Sequence, residues 1–227
     1  MSSDQVVVVA PQAGPQEQFV NVPDDITICF YGGAAGGGKS YALLMDALRY
    51  VNDPHFYGVY FRQTTKQLER TLWPAAKTMY LPFLTERVGD KTKFIKGAYI
   101  NETKHKIGFP SGAMLEFSYL ENDKDVINNW QGAELSAIYM DEFSQFSEFQ
   151  FNYLRTRLRS KAENRAFFRC SMNPDNEHFV LHWIDSYLDK DGYARRDLSG
   201  KTRYYIYVDG ELKTSWDKDS LVKDYPD

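Results

Sequence analysis

A glycine-rich segment between two apolar runs constrains the fold of this chain more than any other feature. The segment Tyr31–Ser40 reads YGGAAGGGKS, and from Gly33 onward it matches G-x-x-x-x-G-K-[ST]. The preceding run ITICFY (26–31) predicts a buried strand, and the apolar spacing over Ser40–Asn52 predicts a helix. A strand, a glycine turn and a helix in this order predict a loop that holds the phosphates of a nucleotide.

The chemistry of phosphate binding explains why the loop needs these residue types. Glycines permit positive φ angles, so that successive backbone N–H groups curl around an anion at a helix N-terminus. Lys39 is expected to reach the β- and γ-phosphates, and Ser40 to ligate Mg²⁺. A glycine turn with an exposed lysine is the alternative, which the flanking strand and helix disfavour. The expected nucleotide-binding residues are contiguous: Gly33, Ala34, Ala35, Gly36, Gly37, Gly38, Lys39, Ser40 and Tyr41.

Two acidic residues directly follow LSAIYM (135–140), which predicts another buried strand. An acidic residue at the C-terminal end of a parallel strand, beside a phosphate loop, is where P-loop enzymes hold Mg²⁺, so we assign Asp141 to the metal. Glu142 is placed to polarise the attacking water, which indicates hydrolysis. The alternative is an acidic N-cap for the helix that follows.

Polar residues also follow AFFRCSM (166–172), the next predicted strand. Ser171 and Asn173 are candidates to face the γ-phosphate and to sense whether it is present. Asn-Pro is a common start of a turn, so local geometry is an equally good explanation of Asn173 and Pro174.

Strand-like and helix-like runs alternate along the rest of the chain. YGVYFR (57–62) predicts a strand, 64–84 a helix bent or broken at Pro74, and 147–159 another helix. Two apolar runs joined by Pro-Ser-Gly within 105–120 predict an antiparallel hairpin. This order predicts a three-layer α/β fold, a P-loop NTPase of the ASCE type, with a mainly parallel central sheet and the hairpin inserted at its edge.

Three regions are expected along the chain. Residues 1–18, with Pro, Gly and Gln but no clear period, predict an N-terminal arm, and residues 19–200 the P-loop domain. In the remaining extension, 201–227, an apolar run predicts a hairpin that turns at Asp209-Gly210. That run also resembles the first strand of an RNase H-type nuclease. Only 18 residues follow Asp209, however, so we expect no two-metal cleavage.

Composition bears on several other classes of protein. A formal net charge of −4 argues against tight DNA binding by the isolated chain, but a local patch or a ring of subunits would still offer positive charge to a phosphate backbone, so net charge leaves DNA binding open. No window offers the 18 or more apolar residues of a membrane span, so we expect no membrane contact. The N-terminal VVVVA is too short for a secretory signal and lacks a basic segment before it, so we expect a reducing cytoplasm. Cys29 and Cys170 lie in strand-like apolar runs, where we expect free thiols that pack as small hydrophobes.

Six motifs together are more specific than the phosphate loop alone: GPQEQF, YGGAAGGGKS, YFRQTTKQLERT, WQGAELSAIYMDE, YLRTRLR and SMNPDN. In this order and at these separations they resemble the large terminase subunit of tailed bacteriophages. The resemblance covers nearly the whole chain. It implies an ATPase domain that uses ATP and Mg²⁺ to drive double-stranded DNA into an empty capsid, without the C-terminal nuclease of such proteins.

The resemblance also implies partners and site residues. The partners would be double-stranded DNA, the portal protein of the procapsid, the small terminase subunit and further copies of the chain in a ring, in the host bacterial cytoplasm. Gly33–Ser40 match the family's Walker A loop, Asp141 and Glu142 its Walker B pair, and Ser171–Pro174 its coupling motif. Gln16 falls where related ATPases read the adenine edge, although a plain surface glutamine is an equally good interpretation.

The chain departs from the family at the arginine finger. Many terminases carry Arg-Gly shortly before the Walker B strand, whereas this chain has Gln131-Gly132. An ordinary solvated helix face is the alternative for the arginines of RTRLR. A finger would make hydrolysis depend on assembly, and its removal would lower turnover by about 10³- to 10⁵-fold. The candidate substitutes lie after the second predicted strand and on the predicted helix 147–159: Arg62, Arg155, Arg157 and Arg159.

Other P-loop functions remain as alternatives. A helicase or recombination ATPase would share the phosphate loop, the Asp-Glu pair and the polar sensor strand. A GTP-binding switch would need Asn-Lys-x-Asp, and NDKD (122–125) has the wrong order. A nucleotide kinase would need an acceptor pocket and a lid, for which the inserted hairpin is weak support.

Overall fold

The structure, a computed structural model, describes residues 9–33, 36, 38–173 and 177–226. The chain divides into two compact units, Met1–Pro174 and Asp175–Asp227. The boundary expected at residue 200 therefore lies inside the second unit. The division falls earlier because residues on both sides of position 200 pack together: the rings of Trp183 and Tyr205 meet edge to face at 5.0 Å.

The described part of the first unit has nine strands, seven of which form one sheet. The strands are β1 (Ile28–Gly32), β2 (Tyr57–Arg62), β3 (Thr85–Val88), β4 (Lys91–Phe94), β5 (Tyr99–Asn101), β6 (Lys106–Gly108), β7 (Met114–Tyr119), β8 (Ala137–Met140) and β9 (Phe167–Met172). The order in the sheet is β1-β9-β8-β2-β7-β6-β5, and β3 pairs with β4 in a separate ribbon. The first five strands in that order pair in parallel, and the last two are antiparallel. The predicted mainly parallel sheet with an edge hairpin is confirmed.

Helices cover both faces of the sheet. They are α1 (Pro15–Val20), α2 (Lys39–Ala47), α3 (Thr65–Gln67), α4 (Trp73–Leu84), α5 (Asp123–Trp130) and α6 (Glu148–Arg155). Tyr60 of β2 stacks on Tyr139 of β8 at 4.3 Å, and its hydroxyl donates to the Leu43 carbonyl of α2 at 2.9 Å. Phe61, which points to the opposite face, meets Trp130 of α5 at 5.0 Å. The predicted three layers are therefore present.

The helical region after β2 is not broken at Pro74. A π-helical segment, Leu68–Leu72, joins α3 to α4, and the Trp73 amide donates to the Leu68 carbonyl. Pro74 is the second residue of α4, where the missing N–H of proline costs no α-helical hydrogen bond. The predicted bend or break thus takes the form of a wider helical turn before the proline.

Two tyrosine hydroxyls determine where α2 ends. The Leu48 amide donates to the Met45 carbonyl, three residues back, so the Leu44 carbonyl receives no α-helical bond from it. The Tyr80 hydroxyl donates to Leu44 at 2.7 Å and lies 3.1 Å from the Tyr60 hydroxyl. The α-helix predicted to run to residue 52 therefore ends at residue 47. The chain after it forms tighter turns, with hydrogen bonds to the carbonyl three residues back.

Other elements differ from the sequence-based expectation. Residues 15–18, expected in an arm, belong to α1, because its Gln16 and Phe19 are buried in the fold. The ribbon β3–β4 and the helix α5 were not predicted. The segment NDKD (122–125) begins α5: the Asn122 side chain accepts hydrogen bonds from the Lys124 and Asp125 amides in a capping box.

The helix predicted over 147–159 ends at Arg155, so the expectation that Arg157 and Arg159 lie on it is wrong. The backbone there pairs instead with the segment that enters β8. The Leu135 amide donates to the Arg157 carbonyl at 3.0 Å, and the Arg159 amide donates to the Leu135 carbonyl at 3.0 Å. These bonds form a parallel bridge between Leu135 and Leu158 and stop the helix.

The second unit contains α7 (Leu181–Ile184), a 3₁₀ turn (Asp185–Tyr187), β10 (Tyr204–Val208), β11 (Glu211–Ser215) and α8 (Lys218–Asp224). Helical structure within 177–188 is limited to these two short pieces. Asp209 and Gly210 have φ of 51° and 82°, the positive values that a two-residue hairpin turn requires, so the predicted hairpin is confirmed. Among the described residues, no helix has the length and apolar character needed to cross a membrane.

Both cysteines are free thiols, as expected. Cys29 and Cys170 lie on the paired strands β1 and β9. Burial raises the pKa of the Cys29 thiol to about 11 and that of Cys170 well above its ordinary value. The surrounding protein therefore disfavours the reactive thiolate at both positions.

Replacing Tyr80 with phenylalanine should destabilise the first unit, because the buried Leu44 carbonyl loses its donor. We expect a loss of about 1–3 kcal/mol in the free energy of unfolding, measured by urea denaturation. The matched control is Tyr119→Phe, at an exposed ring on β7, which should change stability by less than about 0.5 kcal/mol. Equal effects of the two variants would contradict the role assigned to Tyr80.

Candidate active site

The carboxyl ends of four parallel strands meet at one edge of the sheet. The register pairs Tyr31 of β1 with Ser171 of β9, and Phe61 of β2 with Met140 of β8. The residues that follow these strands therefore converge, as ligand-binding residues do at the carboxyl edge of an open α/β sheet. Every site residue expected from the strand ends, as far as the structure describes them, lies at this edge.

The glycine loop leads directly into α2. Gly33, Gly36 and Gly38 have φ of 150°, 83° and 66°, and Gly38 is the left-handed N-cap of α2. Lys39 and Ser40 are the first helical residues, and Tyr41 is 45% exposed beside them. Positive φ angles and a helix N-terminus, two features that a phosphate loop requires, are thus present at the described positions of this segment. Ala34, Ala35 and Gly37 lie outside the described residues.

Lys39 connects the loop to the polar end of β9. Its Nζ donates to the Gly33 carbonyl at 2.9 Å and to Asn173 Oδ1 at 3.0 Å. The ammonium group therefore lies between the phosphate loop and the candidate sensor. Pro174, the next residue of the candidate coupling motif, lies outside the described residues.

Asp141 joins the loop helix to two strands. Its Oδ1 accepts hydrogen bonds from Ser40 Oγ at 2.9 Å and from Ser171 Oγ at 2.5 Å. The carboxylate is 1% exposed. Mg²⁺ is often bound by only one or two oxygen ligands from the protein, and water and substrate phosphates supply the rest. The Ser40 hydroxyl and the Asp141 carboxylate fit this pattern. The described residues contain no group of three carboxylate, histidine or cysteine ligands, so the site fits a metal held jointly with a nucleotide rather than an all-protein cage.

Glu142 is held in an unusual backbone conformation. Its φ of 58° and ψ of 55° lie in the left-handed region, which glutamate rarely adopts. Its amide donates to Ser171 Oγ at 3.2 Å, and its Oε2 accepts from Gln145 Nε2 at 2.7 Å. Glu142 holds the N-cap position of a 3₁₀ turn, Phe143–Gln145, but its side chain makes no capping hydrogen bond there, and α6 is capped by Ser147. Strained backbone at such a position is typical of functional residues.

Arg62 faces the carboxylates of its own chain. Its guanidinium lies 2.7 Å from Asp141 Oδ2 and 2.8 Å from Glu142 Oε2, and its side chain is 7% exposed. This position argues against the expectation that Arg62 reaches into a neighbouring subunit. Gln145, the other partner of Glu142, was not predicted from the sequence. The only feature that could have indicated it is its position three residues after the candidate base.

The other arginine candidates bond locally. Arg155 donates to Asn152 Oδ1 at 3.1 Å and lies over the Phe151 ring. Arg157 donates to Thr156 Oγ1 at 2.9 Å and lies over the Tyr153 ring. Their role as a finger therefore stays a prediction, as does that of the exposed Arg159.

Gln16 is buried beneath the phosphate loop, so the interpretation as a plain surface glutamine is wrong. Its Nε2 donates to the Gly38 carbonyl at 3.0 Å, and its Oε1 accepts from the Gln12 amide at 2.6 Å. A Cβ at Gly38 would lie 2.6 Å from Gln16 Nε2, the end of a flexible side chain, so the φ of 66° is the stronger reason for glycine at this position. Both ends of the Gln16 amide are engaged within the chain; adenine reading by this residue stays a prediction.

A buried polar network lies behind the site. Asp46 of α2 and Arg169 of β9 are both fully buried, with Arg169 Nε 3.9 Å from Asp46 Oδ2. The Tyr139 hydroxyl of β8 donates to the same carboxylate oxygen at 2.9 Å. Burial raises the pKa of Asp46, and the Arg169 guanidinium opposes that rise. The sequence signal for this network was a single charged residue within each of two apolar runs, ALLMDAL and FFRCSM.

Comparison with known protein families decides among the P-loop classes. Residues 30–227 match the family model described as "Terminase large subunit, T4likevirus-type, N-terminal". The chain belongs to this terminase family. The resemblance inferred from the six motifs is thereby confirmed.

Solved structures of large terminases share the fold. The large terminase of a thermophilic bacteriophage is 17% identical, with a TM-score of 0.56 over 78% of this chain and 42% of that chain. The large terminase of bacteriophage HK97 is 15% identical, with a TM-score of 0.57 over 86% of this chain and 44% of that chain. This terminase chain thus spans less than half the length of either structure. No curated protein matches it.

Removing Arg169 should destabilise the terminase fold, because the buried Asp46 carboxylate would lose one of its two cations and keep only Arg49, 3.6 Å from its Oδ1. We expect Arg169→Gln to lower the free energy of unfolding by about 3–5 kcal/mol in urea denaturation. Adding Asp46→Asn should recover part of that loss, since the neutral amide needs no counter-charge. Additive losses in the double variant would contradict the pairing.

Proposed function

We propose that this chain is the ATP-hydrolysing motor domain of a viral terminase, which drives double-stranded DNA into a procapsid. The observation that carries the proposal is the convergence of the phosphate-loop serine, Ser40, on Asp141, with Glu142 as the next residue. Membership of the terminase family supports the same conclusion. Structures of the thermophilic phage's large terminase with ADP and with ATP-gamma-S further support nucleotide binding by this fold.

The residues of the site suggest a division of roles. Lys39 and the loop amides bind the triphosphate, and Ser40 and Asp141 hold Mg²⁺, which neutralises charge on the phosphates. Glu142 accepts a proton from the water that attacks the γ-phosphorus, and the bond to the β-phosphate oxygen breaks. The products are ADP and inorganic phosphate. The removal of a positioned base typically lowers such rates by about 10²- to 10⁴-fold.

Asn173 is suited to report the state of the γ-phosphate. In the structure it shares Lys39 with the loop carbonyl of Gly33. A phosphate that binds Lys39 competes for the same ammonium protons, so Asn173 exchanges partners as the phosphate arrives and leaves. Ser171, two residues earlier on β9, bonds both Asp141 and the Glu142 amide and supports the sensor role of this strand.

The partners follow from the motor role. Double-stranded DNA is the cargo, the portal protein of the procapsid is the docking partner, and further copies of the chain form a ring with the small terminase subunit nearby. The host bacterial cytoplasm is the location. No nuclease activity is proposed, because Asp209 lies in a hairpin turn.

Replacing Glu142 with glutamine should abolish turnover and leave nucleotide binding intact. We expect ATPase activity to fall by at least about 10²-fold, with the affinity for a fluorescent ATP analogue changed by less than about threefold. The matched control is Glu148→Gln, an exposed glutamate in the first turn of α6, which should retain activity. Unchanged hydrolysis in Glu142→Gln would refute its assignment as the base.

The motor role is tested by steady-state ATPase assays of the chain alone and then with portal-bearing procapsids and linear double-stranded DNA. We expect low activity alone and strong stimulation when both are present. Strand separation without any need for a portal would instead support a helicase. Full activity of the isolated chain would argue against any arginine supplied by a neighbour.

A further inference from the structure

The backbone fixes Arg62 at the centre of the carboxyl edge. It is the last residue of β2, which lies between β8 and β7 in the sheet. The Asp141 amide donates to the Phe61 carbonyl at 3.0 Å, and the Leu120 amide donates to the Arg62 carbonyl at 3.1 Å. The pairing of β2 therefore continues on both sides at the strand end, and Arg62 is placed beside the Asp-Glu pair by the sheet itself.

The side chain of Arg62 spans both acidic residues. One terminal nitrogen lies 2.7 Å from Asp141 Oδ2, and the other lies 2.8 Å from Glu142 Oε2. The Arg62 and Asp141 side chains are 7% and 1% exposed, so solvent screens this ion pair little. A planar guanidinium can hold two carboxylates in one fixed geometry, which a lysine ammonium cannot do.

The oxygens of each carboxylate are divided between two tasks. Asp141 Oδ1 faces the hydroxyls of Ser40 and Ser171, whereas Oδ2 faces Arg62. Glu142 Oε2 accepts from Gln145 and faces Arg62, whereas Oε1 has no protein partner among the described residues. Arg62 thus contacts only the oxygens that the proposed chemistry leaves unused, so a metal beside Ser40 and a water beside Oε1 need not displace it.

We propose that Arg62 is a positioning residue that acts within its own chain: its guanidinium fixes the distance and orientation between the metal carboxylate, Asp141, and the base, Glu142. This inference rests on the proposed ATPase function. Because Glu142 follows the sheet in a left-handed conformation and is 41% exposed, its side chain needs an external anchor. Arg62 supplies the charged anchor and Gln145 the neutral one. A finger acting in a neighbouring subunit would instead have to be exposed.

The first test separates positioning from binding. We expect Arg62→Gln to lower kcat by about 10²-fold, the cost of a misplaced catalytic group. The affinity for Mn²⁺ with a non-hydrolysable ATP analogue, measured by electron paramagnetic resonance, should change by less than about threefold. Arg62→Lys should restore only part of kcat, because it keeps the charge but not the fork. Arg165→Gln, at an exposed arginine before β9, is the matched control and should behave as the wild type does.

The second test separates action within a chain from action between chains. Arg62→Gln and Glu142→Gln chains are mixed under the conditions in which the wild type is stimulated by procapsids and DNA. If Arg62 acts within its own chain, every site in the mixture lacks one required residue, and activity stays at the level of the single variants. If it acts on a neighbour, Arg62→Gln sites receive arginine from Glu142→Gln neighbours, and activity reappears.

Each outcome decides the matter. Reappearance of activity in the mixture would overturn the inference, and so would unchanged kcat in Arg62→Gln. A parallel loss of metal-nucleotide affinity and of kcat would reduce Arg62 to a structural counter-charge and would also overturn it. Absence of stimulated hydrolysis in the wild type would refute the proposed function itself, which is a different failure from an active wild type with an unaffected Arg62→Gln variant.

Discussion

The organisation of this domain depends on the interactions of the buried Asp141 carboxylate. It joins the first turn of α2, the ends of β8 and β9, and the end of β2 through Ser40, Ser171 and Arg62. A buried carboxylate needs hydrogen-bond donors and a counter-charge, and these three side chains supply them. The requirement draws four chain segments, far apart in sequence, to one point. The phosphate loop and the hydrolytic pair are thereby held in a single framework.

A second polar cluster repeats this arrangement deeper in the domain. Asp46, Tyr139 and Arg169 lie on the same three elements, α2, β8 and β9, and each strand member is two residues before a site residue. Since side chains two apart on a strand point to the same face, the network lies along the line of the site. Buried polar groups of this kind favour the packing of α2 against β8 and β9 in which their hydrogen bonds and charges are paired.

Short sequence patterns predicted the parts of the fold that depend on residues close together in the chain. The glycine loop, the Asp141-Glu142 pair and the hairpin turn at Asp209-Gly210 were predictable because each depends on residue types at short spacing. The end of α6 was not, because the bridge between Leu135 and Leu158 that stops the helix is a tertiary contact. The placement of Arg62 against its own carboxylates was missed for the same reason: it depends on which strands are neighbours in the sheet.

The contact between Gln16 and the Gly38 carbonyl ties a residue that precedes the sheet to the phosphate loop. Gln16 lies on α1, and the match to the terminase family begins only at residue 30, after that helix. A fragment trimmed to the family boundary would keep the phosphate loop and the Asp141-Glu142 pair but would lose Gln16, the support beneath the loop, and the first two residues of β1. For protein engineering, the smallest useful expression fragment therefore begins before α1, and affinity tags are best placed well upstream of Gln12 or at the opposite terminus.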